Sequence, residues 1–140
     1  MMRSLMRWGL LLTLIATVAS GCRTAGESTA LKEVQRVHAG ALDVVLLSAS
    51  GALNQGKDSF VLEFRSADGQ LVDVGTVNVN ATMAMAGMGP MLGESTVNPT
   101  STKGRYEVAS NLNMAGSWRF TVEWNGPAGQ GSTSLAGTAS

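Results

Sequence analysis

Cysteine and histidine are almost absent from this chain: Cys22 and His38 are the only examples in 140 residues. One cysteine cannot close an internal disulfide, so the folded part must hold together by packing. Nucleophilic catalysis needs a nucleophile beside a base. The chain offers no thiol in the region expected to fold, no imidazole there, and no Gly-x-Ser-x-Gly turn. The carboxylates Asp43, Asp58, Glu63, Asp68, Asp73, Glu94, Glu107 and Glu123 are dispersed, which gives an acid and base dyad no support. These absences point away from an enzyme.

Charge is scarce too, with Asp, Glu, Lys and Arg making up 14% of the chain at a formal net charge of zero. If Arg3 and Arg7 leave with the first 21 residues, eight Lys and Arg remain against ten Asp and Glu. No basic stripe is left to neutralise phosphates, which argues against nucleic acid as a partner. No apolar run reaches the roughly 20 residues that span a bilayer as a helix; the longest, Trp8 to Val18, is about half of that.

That short run has a meaning of its own. Arg3 and Arg7 precede it, and Ala19-Ser20-Gly21-Cys22 follows it. The pattern is a secretory signal over residues 1–21 ending in a lipobox, with Cys22 as the lipid-attachment residue of the mature chain. Cleavage nearby by a conventional peptidase, or retention of the segment as an anchor, stays open on sequence. All three place the domain extracytoplasmically, and the lipobox makes it a membrane-anchored lipoprotein of the cell envelope. Arg23, not Asp, follows the cysteine. This is similar to the sorting rule that sends lipoproteins to the outer membrane where the host has one, facing the periplasm.

Residues 22–40 are then expected to form a lipidated start and linker, with Leu31, Val34 and Val37 at helical spacing suggesting a brief helix within it. His38 falls in this stretch, as a solvated residue and not a ligand. Residues 41–140 remain for a single domain with one modest core.

From about Gly40 the apolar period becomes two. In Trp118-Arg119-Phe120-Thr121-Val122-Glu123-Trp124 every second residue is large and apolar, so one face is buried and the other wet. Phe60 to Arg65 repeats this, and Ala67-Asp68-Gly69-Gln70 supplies a turn before Leu71, which predicts a β-hairpin. Further strands are expected over Leu42–Leu47, Leu71–Val79, Ser95–Asn98, Arg105–Ser110 and Ser132–Leu135, separated by Gly, Asn, Asp and Pro clusters. About seven short strands without an amphipathic helix predict an all-β, immunoglobulin-like antiparallel β-sandwich, with a closed barrel as the alternative.

Four of the five methionines that follow the signal segment sit within nine positions: Met83-Ala84-Met85-Ala86-Gly87-Met88-Gly89-Pro90-Met91. Alternation from Val77 through Val79 and Ala81 puts Met83 and Met85 on one strand face, their positions about 7 Å apart. Gly87, Gly89 and Pro90 then turn the chain, which can bring Met88 or Met91 back toward them. Convergent thioethers make a soft site suited to Cu(I) and unsuited to Mg²⁺ or Ca²⁺. Methionine is also a flexible core filler and an adaptable contact surface, so packing or a protein partner explains the same segment.

With these residues in view, the chain resembles the YtkA-like domains, which are related to FixH-like proteins and to modules found with heavy-metal efflux adaptors. The resemblance lies in Gly56-Lys57-Asp58-Ser59-Phe60-Val61-Leu62-Glu63-Phe64, Ala67-Asp68-Gly69, Met83 to Met91, Gly104-Arg105-Tyr106-Glu107-Val108, and Leu112 to Val122. It covers about Gly40 to Trp124. Its most specific element is a Met/Pro/Gly segment followed by Gly-x-Tyr and then Met-x-Gly-x-Trp. The resemblance implies a β-sandwich associated with copper handling at the envelope, and it adds Met114 to Met83, Met85, Met88 and Met91 as a metal ligand. Trp118 either shields such a site or packs in the core beyond Phe120 and Val122. Where many relatives carry a histidine soon after the methionines, this chain has Leu92-Gly93, leaving a thioether-only donor set. Two functions follow: a lipid-anchored module that holds Cu(I), or a metal-free interaction module for an efflux adaptor or an oxidase maturation protein.

Overall fold

The computed structural model describes residues 30–140, all of it strand, turn or loop; Cys22 and the signal segment lie outside the described residues. Eight strands follow one another: β1 (Lys32–Ala39), β2 (Leu42–Ser48), β3 (Gly56–Ser66), β4 (Thr76–Met83), β5 (Met91–Pro99), β6 (Arg105–Leu112), β7 (Gly116–Gly126) and β8 (Gly129–Ala139). They pair antiparallel in the order β1-β2-β3-β6-β5-β4-β7-β8. β5 belongs to both layers: Met91–Gly93 pair with Met83–Ala81 of β4, and Glu94–Pro99 then pair with Asn111–Tyr106 of β6. The result is a sandwich whose layers are joined through one strand.

Alternation explains the core. Phe60, Leu62 and Phe64 of β3 point inward with Tyr106, Val108 and Leu112 of β6, and they meet Val77, Val79, Trp118, Phe120, Val122 and Trp124 from the other layer. Phe60 packs edge-on against Phe120 at 5.2 Å between ring centroids, and Phe64 against Trp124 at 5.4 Å. Each such side chain contributes about 1.5–3 kcal/mol by leaving water, and each aromatic pair about 0.5–1.5 kcal/mol beyond that. Small residues make room for large ones. A Cβ on Gly93 of β5 would lie 3.1 Å from the Trp118 ring, so the indole fills the volume that glycine vacates.

The two outer strands, β1 and β8, almost close the sheet on itself. The Ala136 N–H donates to Gln35 Oε1 at 2.7 Å. Beyond it, the Ser140 N–H bonds the Leu53 carbonyl at 3.2 Å, and the Gln55 N–H bonds the Ser140 carbonyl at 3.1 Å.

Three expectations change. The stretch read as linker and brief helix, residues 22–40, contains β1, so the folded domain starts at Lys32 and not at residue 41. Pairing with β2 slips between Glu33 and Gln35, making Val34 the extra residue of a β-bulge. A bulge adds one residue to the strand interval, so Val34 and Val37, three apart, both pack against the core, and the spacing mimics a helix. The expected hairpin after β3 is short: the Gly69 N–H bonds the Ser66 carbonyl at 2.9 Å, and Arg65 bridges Leu71. The chain then crosses to the other layer, and only from Thr76 does it become β4, beside β7. The strand count is eight, not seven, because β1 is added; β8 also runs well beyond Ser132–Leu135.

Candidate functional site

Strand directions place the end of β4, the start of β5, the end of β6 and the start of β7 at one pole of the sandwich. Residues 84–90 link the first pair and residues 113–115 the second. Every methionine after residue 30 lies at this pole.

Met83 and Met91 are directly opposed in the β4–β5 register. Opposed residues share a sheet face, with Cβ atoms about 4.5–5.5 Å apart. Met83 is 8% exposed and Met91 half-buried against the core. Met83 lies across Gly116: a Cβ there would sit 3.0 Å from Met83 Cε and 3.7 Å from its Sδ. Between the partners, the Met88 N–H reaches the Met85 carbonyl at 3.4 Å around Ala86 and Gly87, whose φ of 72° is the value a type II turn needs at its third position. Met85 is half-buried and Met88 is 71% exposed. Because β4 ends at Met83, the expected alternation of Met83 with Met85 along one strand does not occur; hairpin register pairs Met83 with Met91 instead.

Met114 is 40% exposed in the neighbouring loop, and its carbonyl accepts the Trp118 indole N–H at 2.9 Å. Trp118 itself is buried on the core face with Phe120 and Val122, as the alternation predicts. Asn78 and Asn80 point outward to solvent. Among the described residues no cluster of three or more His, Cys, Asp or Glu can hold a metal. The thioethers gathered at this pole are soft donors. Two exposed apolar residues there were not legible in advance. Leu92 is 69% exposed and Leu31 is 37% exposed. With a strand expected only from Ser95, the outward phase of Leu92 had no frame.

The opposite pole is charged. Glu63 is 3% exposed and is held by Arg65 at 2.9 Å and by Arg105 at 3.0 Å. On β1 and β2, Arg36 bonds Glu33 at 2.9 Å and Asp43 at 3.2 Å, and His38 also pairs with Asp43. The hydrogen bond from His38, then that from Arg36, holds the Asp43 carboxyl below the ordinary carboxylate range. His38 is thus a strand residue in an exposed ion-pair group, not a linker residue. Tyr106 donates to the Gly75 carbonyl at 2.7 Å; burial, and then the nearby charge of Asp73, pushes its phenol up. A cleft of about 450 Å³ opens beside it, lined by Asp73, Thr100, Lys103 and Asn125 among others, with Lys103 and Asp73 3.9 Å apart.

A family model described as YtkA-like matches residues 36–123, more than half of the chain. The chain belongs to the YtkA-like family. The matched span of this YtkA-like domain runs from within β1 to within β7, so it contains the methionine hairpin, Met114 and Trp118, and it leaves out β8. No curated protein matches the chain.

Proposed function

We propose that this YtkA-like domain is an extracytoplasmic binding module, anchored by a lipid on Cys22, that carries Cu(I) as cargo and exchanges it with an envelope transport system. The observation that carries the reading is the gathering of five methionines at one pole. Met83 and Met91 form a cross-strand pair, Met85 and Met88 lie in the loop that joins them, and Met114 lies in the adjacent loop. The donor set fits a soft monovalent ion and offers a Cu(II) ion no imidazole. Graded exposure suits exchange: Met88 meets an incoming ion first, and Met91 and Met83 lie progressively deeper. The module acts by holding and releasing the ion and performs no catalysis.

Anaerobic Cu(I) titration against a chelator competitor tests this, with Met83→Leu, Met85→Leu, Met88→Leu and Met91→Leu combined as the control. Leucine keeps the bulk and removes the sulfur, so the fold persists. Stoichiometric binding by the native protein and none by the variant is the expected result. No competitive binding by the native protein retires the metal reading.

A further inference from the structure

All large apolar side chains that stand exposed among the described residues lie at the methionine pole: Met88 at 71%, Leu92 at 69%, Met114 at 40% and Leu31 at 37%. Scattered singly, such residues carry no meaning, but their confinement to one pole does. The three segments that form this pole, residues 49–55, 84–90 and 113–115, contain no Asp, Glu, Lys, Arg or His. The first charges behind them are Lys32, Lys57, Asp58, Glu94 and Arg119, three positive and two negative. The segments at the other pole carry Asp68, Asp73 and Lys103.

The chain enters the fold at the same pole. β1 begins at Lys32, opposite Ser48, where β2 ends and the 49–55 segment begins. Nine residues lie between Cys22 and Lys32, so a lipid on Cys22 lies at most about 36 Å from that entry point. A tether this short brings the pole, whose connecting segments carry no charged side chain, within reach of the surface in which the tether is fixed.

We propose that the methionine pole docks on the lipid surface, with Met88, Leu92, Met114 and Leu31 immersed in the interfacial layer and the flanking charges, among them Lys32, Lys57 and Arg119, at headgroup level. The proposal rests on the lipid anchor at Cys22 and is independent of copper. The opposite pole then stands away from the membrane by the length of a strand: β7, with 11 residues, spans about 36 Å. If copper is carried, exchange takes place at the membrane face and not toward the open envelope.

The test uses the full chain, processed in a bacterial host and reconstituted in vesicles of phosphatidylethanolamine and phosphatidylglycerol. Spin labels at Met88→Cys, Leu92→Cys and Ser101→Cys report collision with oxygen, which concentrates in lipid, and with an aqueous nickel chelate. Thioether formation removes the native thiol at Cys22, so each label is single. The expected ratio of oxygen to nickel collisions is about threefold higher at positions 88 and 92 than at 101. Equal ratios at all three positions, in protein whose intact mass includes the diacylglyceryl group, overturn the docking and leave the anchor standing. An intact mass without lipid overturns the anchor reading and the docking with it. Dipolar broadening between labels at position 88 assigns the pole to a second copy and likewise overturns the proposal.

Discussion

At the methionine pole the glycines of the connecting loop stand free: a Cβ on Gly87 or Gly89 would meet no atom within 4 Å. At the opposite pole the chain runs against itself. A Cβ on Gly75 would lie 2.5 Å from the Asn125 carbonyl oxygen, one on Gly126 2.4 Å from that of Val74, and one on Gly104 2.6 Å from that of Val72. Three segments distant in sequence thus interlock through bare backbone, and the Tyr106 hydroxyl ties Gly75 down from the core. The 84–90 loop, which carries Met85 and Met88, is not gripped in this way, although residues 53–55 at the same pole bond Ser140 and Asn113. A site that must admit and release a ligand gains from loops that constrain one another little, whereas the sheet gains from a pole where they cannot separate.

The largest expected effect comes from disturbing the interlock. Gly126→Ala should destabilise the domain by about 3 kcal/mol or more, because backbone must move to admit the methyl, while Gly89→Ala should stay within about 0.5 kcal/mol. Chemical denaturation of the two variants measures the difference, and equal midpoints would erase the contrast between the poles.

Next in size is the ion pair group below the interlock. Glu63→Gln leaves Arg65 and Arg105 facing a neutral amide. Removing the charge of a buried pair costs about 3–5 kcal/mol, and the partial exposure of both arginines reduces this to about 2 kcal/mol. An unchanged midpoint would show that water, not Glu63, satisfies the guanidinium groups.

The smallest effect is the most direct to read, because Tyr106 is the only tyrosine. Its phenol is pushed above the ordinary value of 10.0, by burial first and the Asp73 charge second. A group whose pKa is raised by folding contributes stability that is complete below the unfolded value and is lost as pH rises through the folded one. Ultraviolet titration of tyrosinate should give a midpoint above 10 in the native protein and about 10 in denaturant. Equal midpoints would show that the Tyr106 anchor opens in solution. Tyr106→Phe, which removes only the hydroxyl bond to Gly75, should cost about 1 kcal/mol.

What could be read in advance follows from where a local period carries the information. β3 and β7 were legible because large side chains recur at every second position, and the same pattern placed Trp118, Phe120 and Val122 in the core. β8 was legible only over its middle, since its inward positions are mostly Gly131, Thr133 and Gly137, and only Leu135 breaks the run of small residues. Gly131 is small because the Trp124 ring lies over it, a cross-strand reason that no window of neighbours contains. β1 was disguised by its bulge. The methionine segment announced itself by composition, but the pairing of Met83 with Met91 depends on hairpin register, and the crossing after Leu71 on topology. Periodicity fixes which face a residue takes and is silent about which strand lies beside it.

Gln35 stands at the seam where the sheet fails to close. Its side-chain carbonyl accepts the Ala136 N–H of β8, a bond that a ninth strand would otherwise make. An unguarded strand edge is a template on which copies of a protein add to one another, the first step toward fibrous aggregates. One amide, delivered by the same bulge that concealed β1 in the sequence, removes part of that template. Solubility at high concentration therefore belongs among the properties this bulge confers, alongside the geometry of the fold.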